Sequence, residues 1–206
     1  MQVSIEKFVT GPIETNTYLV INENNQCLII DPSSGCSDLL DLLKKQNITP
    51  DAIVITHGHF DHCLGIDEIL SVYPGIKVYV HPDESKLLRR PELNGSYMIG
   101  IGFSYAGVML DITEETTKIG NFPVRIFVIS GHSPAGTALL IDKYLICGDI
   151  LFAGSIGRSD LLGGDEASLV RGIREKLLNL PDDTIVCPGH GGRTTIIREK
   201  RMNPYL

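Results

Sequence analysis

The chain has 206 residues, 43 % apolar and 21 % charged, with a formal net charge of −7. That composition is globular and long enough to bury a sizeable core, whereas the acidic balance and the lack of a long Lys/Arg run exclude a nucleic-acid footprint. No apolar run approaches the ~18 residues of a membrane span, and the opening MQVSIEKFVTGPIETNTYLV lacks the basic start, apolar stretch and cleavage site of a signal peptide.

Val3–Val9 and Thr17–Ile21 read as strands, and Cys27–Asp31 as a third, closed by the turn residues Pro32 to Gly35. Leucines at 39, 40, 42 and 43 between charges predict a helix over Ser37–Gln46. Ala52–Thr56 (AIVIT) is a short apolar strand of the kind buried on both faces. A helix is expected over His62–Tyr73, a strand over Lys77–His81 and a short helix over Asp83–Arg89. Pro91 to Asn121, rich in glycine and aromatics, reads as a long loop, a class that is usually functional or mobile. A strand follows at Val124–Ile129, then a hairpin of Thr137–Asp142 and Tyr144–Cys147. Ser168–Leu180 is an amphipathic helix, Thr184–Cys187 a last strand and Thr195–Arg201 a last helix. Each group of strands needs helices over its outer face, so a four-layer αββα sandwich is expected. With no sharp linker, the chain reads as one domain of two similar halves, roughly 1–120 and 121–206. The five cysteines (Cys27, Cys36, Cys63, Cys147 and Cys187) are odd in number and form no CxxC, which reads as reduced thiols in a cytoplasmic protein.

Half of the six histidines fall in one hexapeptide, HGHFDH, directly after the apolar strand. Alternate side chains leaving a strand share a direction. Residues His57, His59 and Asp61 can therefore point together, with His62 turned to a neighbouring point, a geometry that suits two metal centres better than one. Imidazole and carboxylate are ligands of catalytic zinc. His132 in SGHSPAG, Asp149 in CGD and His190 in CPGHGG each follow another strand and sit among glycines or small residues that permit tight turns. Four strands thus end in a potential ligand.

HGHFDH, GHSPAG, GD and PGHG, in this order, resemble the metallo-β-lactamase superfamily, and within it the small hydroxyacylglutathione hydrolase-like (glyoxalase II-like) proteins. GPIETNTYLV, FAGSIGRSDLLGGD and the ending NPYL strengthen the likeness, which spans almost the whole chain. The resemblance implies an αββα sandwich with two divalent metals, zinc by preference and iron or manganese as alternatives. His57, His59 and His132 would hold the first metal, Asp61, His62 and His190 the second, and Asp149 would bridge. It further implies a hydroxide bridging the metals, oriented by Asp61, that attacks the carbonyl of a small thioester. A thiolate, with a pKa near 8.5, leaves without a strong general acid, which favours thioester over amide. Only sixteen residues follow His190. The helical C-terminal domain with which full-length glyoxalase II grips glutathione is therefore expected to be missing, and the thiol carrier to be different or smaller.

Two other readings share this sequence. A mononuclear iron persulfide dioxygenase of the same fold would use only His57, His132 and Asp149. A non-catalytic binding protein would keep the fold without the chemistry. Of the remaining residues, His81 is expected to make a hydrogen bond at a strand end, and Cys63 to pack. Arg158 is either in a surface pair with Asp160 or holds a substrate carboxylate, since a basic residue at about this place in glyoxalase II contacts glutathione. Tyr105 and Phe103 either line the pocket or pack.

Overall fold

The computed structural model describes residues 1–161 and 163–206; Leu162, within the FAGSIGRSDLLGGD segment, lies outside the described residues. The first sheet runs through β1 (Val3–Thr10), β2 (Thr15–Asn22), β3 (Gln26–Ile30), β4 (Thr49–Val54), β5 (Lys77–Val80) and β6 (Met109–Asp111), in that spatial order. Its first three strands are antiparallel neighbours, and β3 to β6 are parallel. The parallel crossovers carry α1 (Ser37–Lys45), α2 (Ile66–Val72) and α3 (Pro82–Leu88). A two-stranded link, β7 (Lys118–Ile119) and β8 (Phe122–Pro123), leads to β9 (Arg125–Ile129), β10 (Gly136–Ile141) and β11 (Tyr144–Gly148). After a small hairpin of β12 (Leu151–Phe152) and β13 (Ser155–Ile156) come α4 (Glu166–Gly172), β14 (Ile185–Pro188), β15 (Thr194–Thr195) and α5 (Ile196–Met202). The second sheet has the order β15-β14-β11-β10-β9.

Strand alternation sorts the apolar side chains into three interlayers. Leu19 and Ile21 of β2 face α1 and α2, packing with Leu39, Leu43, Ile66 and Ile69. Tyr18 and Val20 of the same strand face the second sheet, meeting Ile126, Leu139, Ile141 and Ile146. Beyond that sheet, Phe127, Leu145 and Val186 pack with Leu169, Ile173 and Ile196. Three apolar seams separate four layers, helix, sheet, sheet and helix, which is the αββα sandwich that the sequence predicts. All five cysteines are buried and unpaired. Among the described residues no helix is long and apolar enough to cross a membrane.

Three local expectations change. The stretch from Pro91 to Asn121 is not loop throughout, because Met109–Asp111 pairs in parallel with Val78–Val80 and closes the sheet edge. The helix expected from His62 begins only at Ile66; Phe60–His62 form a separate 3₁₀ turn. The helix over 168–180 starts at Glu166 and loosens into a π turn at Ile173–Leu177.

Candidate metal centre

The ligand turn starts from a fixed point. Asp31, at the end of β3, is buried; its Oδ1 accepts from Thr56 N–H at 2.7 Å and its Oδ2 from the Thr56 hydroxyl at 2.6 Å. The same Oδ2 accepts from His62 Nδ1 at 2.9 Å. One carboxylate thus holds both ends of the turn that carries His57, His59, Asp61 and His62.

His132 follows β9, Asp149 follows β11 and His190 follows β14, and all three arrive at the same place. In each of three overlapping groups, His57/His59/His132, His57/His62/Asp149 and Asp61/His62/His190, one donor atom per residue lies within 4.8 Å of the others. His132 Nε2 is 3.0 Å from His59 Nδ1 and 3.2 Å from His57 Nε2. His62 Nε2 is 3.1 Å from Asp61 Oδ2 and 3.4 Å from Asp149 Oδ1. Asp149 Oδ2 lies 3.6 Å from both His132 Nε2 and His190 Nε2, so this carboxylate stands between the groups.

The outward ring nitrogens fix the inward ones. His132 Nδ1 donates to the Arg158 carbonyl at 2.8 Å, and His190 Nδ1 to the Glu14 carbonyl at 3.3 Å. A carbonyl only accepts, so Nδ1 carries the hydrogen and the Nε2 lone pair faces the cluster. Burial drives His57 well below the ordinary histidine range, helped by His62, His59 and His132. Burial likewise lowers His59 to about 4, with His132 adding to the effect. Burial opposes ionisation of Asp61, but His62 and His190 hold it well below the usual carboxylate range. Around His62, burial is outweighed by Asp61, Asp31 and Asp149, which raise its pKa well above the histidine norm.

This donor set fits metal ions. It offers five imidazoles and two carboxylates, of which Asp61 and Asp149 are both stabilised in the charged form. Among the described residues, His62 Nε2 and Asp149 Oδ1 are buried and make no hydrogen bond, an arrangement that costs free energy unless a cation satisfies it. Gly189 forms the floor: a Cβ there would lie 2.2 Å from Asp149 Oδ1 and 2.6 Å from His62 Cε1.

Several supporting residues escaped sequence reading. Thr15 donates its hydroxyl to Asp61 Oδ2 at 2.8 Å. Asn16 donates Nδ2 to the carbonyls of Pro188 at 2.9 Å and Gly191 at 3.0 Å, and the Tyr18 hydroxyl donates to Pro188 at 2.8 Å. The available signal was the polar start of an otherwise apolar strand, TNTYLVIN, which the structure buries along its whole length.

The residues outside the cluster also find their places. His81 caps α3, its Nδ1 accepting from Asp83 N–H. Cys63 is buried in the helix-side core, with its thiol directed to the His59 carbonyl at 3.3 Å. Of the two alternatives for Tyr105 and Phe103 the structure shows packing: the Tyr105 ring is buried in the same helix-side core, its N–H donates to the Leu88 carbonyl, and Phe103 packs there too. The Arg158 guanidinium is exposed and pairs with Asp160 through two bonds of 2.7 and 2.8 Å. It is the Arg158 carbonyl, on the main chain, that supports the cluster through His132.

The family model of the metallo-beta-lactamase superfamily matches residues 10–190. A probable metallo-hydrolase, YqgX of Bacillus subtilis, is 38 % identical over 95 % of this chain and 94 % of its own. The hydroxyacylglutathione hydrolase GloC of Haemophilus influenzae is 30 % identical over 99 % of this chain and 98 % of its own. Among solved structures, BLEG-1 B3 metallo-beta-lactamase superposes with a TM-score of 0.93 at 38 % identity, covering 98 % of this chain and 99 % of that one. TTHA1623 in a di-iron-bound form gives 0.86 at 31 % identity, covering 98 % and 100 %. With HGHFDH, GHSPAG, GD and PGHG drawn into one cluster on an αββα sandwich, the chain belongs to the metallo-beta-lactamase superfamily.

Proposed function

We propose that this protein is a metal-dependent hydrolase of a small thioester, of the S-2-hydroxyacylglutathione class. His57, His59 and His132 would hold one divalent cation, Asp61, His62 and His190 a second, and Asp149 would serve both. The observation that carries this reading is the position of Asp149, with one oxygen toward His62 and the other toward His132 and His190. The nitrogen-rich donor set favours zinc, and the di-iron form of TTHA1623 makes iron the alternative to measure. Bound there, the cations supply Lewis acidity, which acidifies a water and polarises a carbonyl.

The chain's own residues supply orientation. Thr15 fixes one Asp61 oxygen, and Asp31 fixes the His62 ring, so neither swings as substrate arrives. The described carboxyls of the cluster, Asp61 and Asp149, are held ionised and have no proton to give a leaving group. A thiolate needs none, whereas an amine does. The likeness to GloC, named a hydroxyacylglutathione hydrolase, supports the same choice. The five unpaired thiols support a cytoplasmic setting.

The test is metal content of the purified protein together with hydrolysis of S-lactoylglutathione, with and without chelator. About two metals per chain and chelator-sensitive hydrolysis are expected. One iron per chain, no hydrolysis and oxygen uptake with a persulfide would assign the dioxygenase reading through His57, His132 and Asp149. Faster opening of a β-lactam ring than of the thioester would overturn the substrate class.

A further inference from the structure

Glu84 sits on α3, outside the seven clustered residues, and is completely buried. Its two oxygens serve two different loops. Oε2 accepts from Gly58 N–H at 2.8 Å, and Oε1 from Ala135 N–H at 2.6 Å. Gly58 lies between His57 and His59, on the loop leaving the first sheet. Ala135 lies just beyond His132, on the loop joining two strands of the second sheet. A further stitch runs beside it, where Thr137 N–H donates to the Thr56 carbonyl at 2.8 Å.

The fit of α3 against the ligand turn is tight. A Cβ at Gly58 would lie 2.5 Å from Leu87 Cβ and 2.7 Å from the Glu84 carbonyl oxygen. Neither loop can shift relative to α3 without straining a hydrogen bond to a buried carboxyl group. A second fully buried glutamate, Glu199, gives a contrast. It accepts from Gly154 N–H, the Thr194 hydroxyl and Asn203 Nδ2, and touches neither loop.

We propose that Glu84 is a positioning residue that sets the distance of His57 and His59 from His132, and so governs the cation held by these three histidines more than its neighbour. This rests on the two-cation reading above. Glu84→Gln keeps the size of the side chain but turns an amide NH₂ toward one of the two N–H donors. It is expected to weaken one zinc affinity by roughly 10- to 100-fold and leave the other unchanged, in competition titrations against a chromogenic chelator. In the metal-free protein the Gly58 and Ala135 amides are expected to exchange hydrogen faster. Glu84→Asp is one methylene shorter and cannot reach both loops. It should show the same selective loss, and it carries the test if Glu84→Gln does not fold. Glu199→Gln is expected to lower the unfolding midpoint without altering either affinity. Unchanged affinities in both Glu84 variants, or an equal weakening of both sites matched by Glu199→Gln, would overturn the proposal. A wild-type chain that takes up neither zinc nor iron overturns the two-cation reading itself, and the proposal falls with it.

Discussion

At position 189 a hydrogen is the largest side group that fits. Gly189→Ala places a methyl 2.2 Å from Asp149 Oδ1, so either the carboxylate or the His190 loop must move. We expect metal content to fall and hydrolysis to drop at least about tenfold, since small misplacements of reacting groups cost of this order or more. Asp31 acts from further out. Its carboxylate takes three donors, and Asp31→Asn leaves at least one of them facing an amide NH₂. An affinity loss of about 10- to 100-fold is expected in chelator competition, and an unchanged affinity would remove Asp31 from the support of His62. The seven clustered residues were legible in the sequence because metal chemistry restricts the residue types and the strand–turn pattern spaces them. Asp31, Thr15 and Glu84 were not, because their meaning lies in partners 25, 46 and 51 residues away. A lone Asp before Pro32 reads as a turn former until the fold brings Thr56 and His62 to it.

Among the elements, strands that alternate or run apolar were legible close to their observed bounds in β9 and the β10–β11 hairpin, whereas β4, expected over Ala52–Thr56, runs from Thr49 to Val54 and takes in Pro50. β6 was not. Its three residues, MLD, carry no period of their own and become a strand only by pairing with β5. The 3₁₀ turn at Phe60–His62 was hidden for a similar reason: the His62 ring is held by Asp31, a tertiary contact that local propensity does not encode. α3 depends on its cap, since seven residues make too short a helix to persist by hydrogen bonding alone. His81→Ala removes the acceptor for Asp83 N–H, and a loss of about 1 kcal/mol is expected in urea unfolding. Metal content should stay at the wild-type value, because His81 is not one of the clustered histidines. A fall in metal content would mean that loosening α3 disturbs the hold of Glu84 on the two ligand loops.

For the whole molecule, the cluster draws on both sheets: four of its residues follow β4 of the first, and His132, Asp149 and His190 follow β9, β11 and β14 of the second. Cations bound there would cross-link the two layers. Removing both with a chelator is expected to lower Tm by roughly 10–20 °C relative to protein with each site at 100 times its Kd in metal, from about 2.7 kcal/mol of linkage per site. No shift in Tm would argue against metal bridging of the sheets. The buried cysteines have a consequence of a different kind. A thioesterase of the proposed class would set free one thiol at every turnover, and once an oxidant has converted that product to its disulfide, an accessible protein thiolate would exchange with it. Among the described residues each cysteine is out of reach: burial pushes Cys27 and Cys36 up to about 12 and Cys187 to about 11, and raises Cys63 and Cys147 as well. The buried thiols are therefore shielded from disulfides of that kind as from alkylating agents, and treatment of the folded chain with iodoacetamide should leave both its mass and its turnover unchanged.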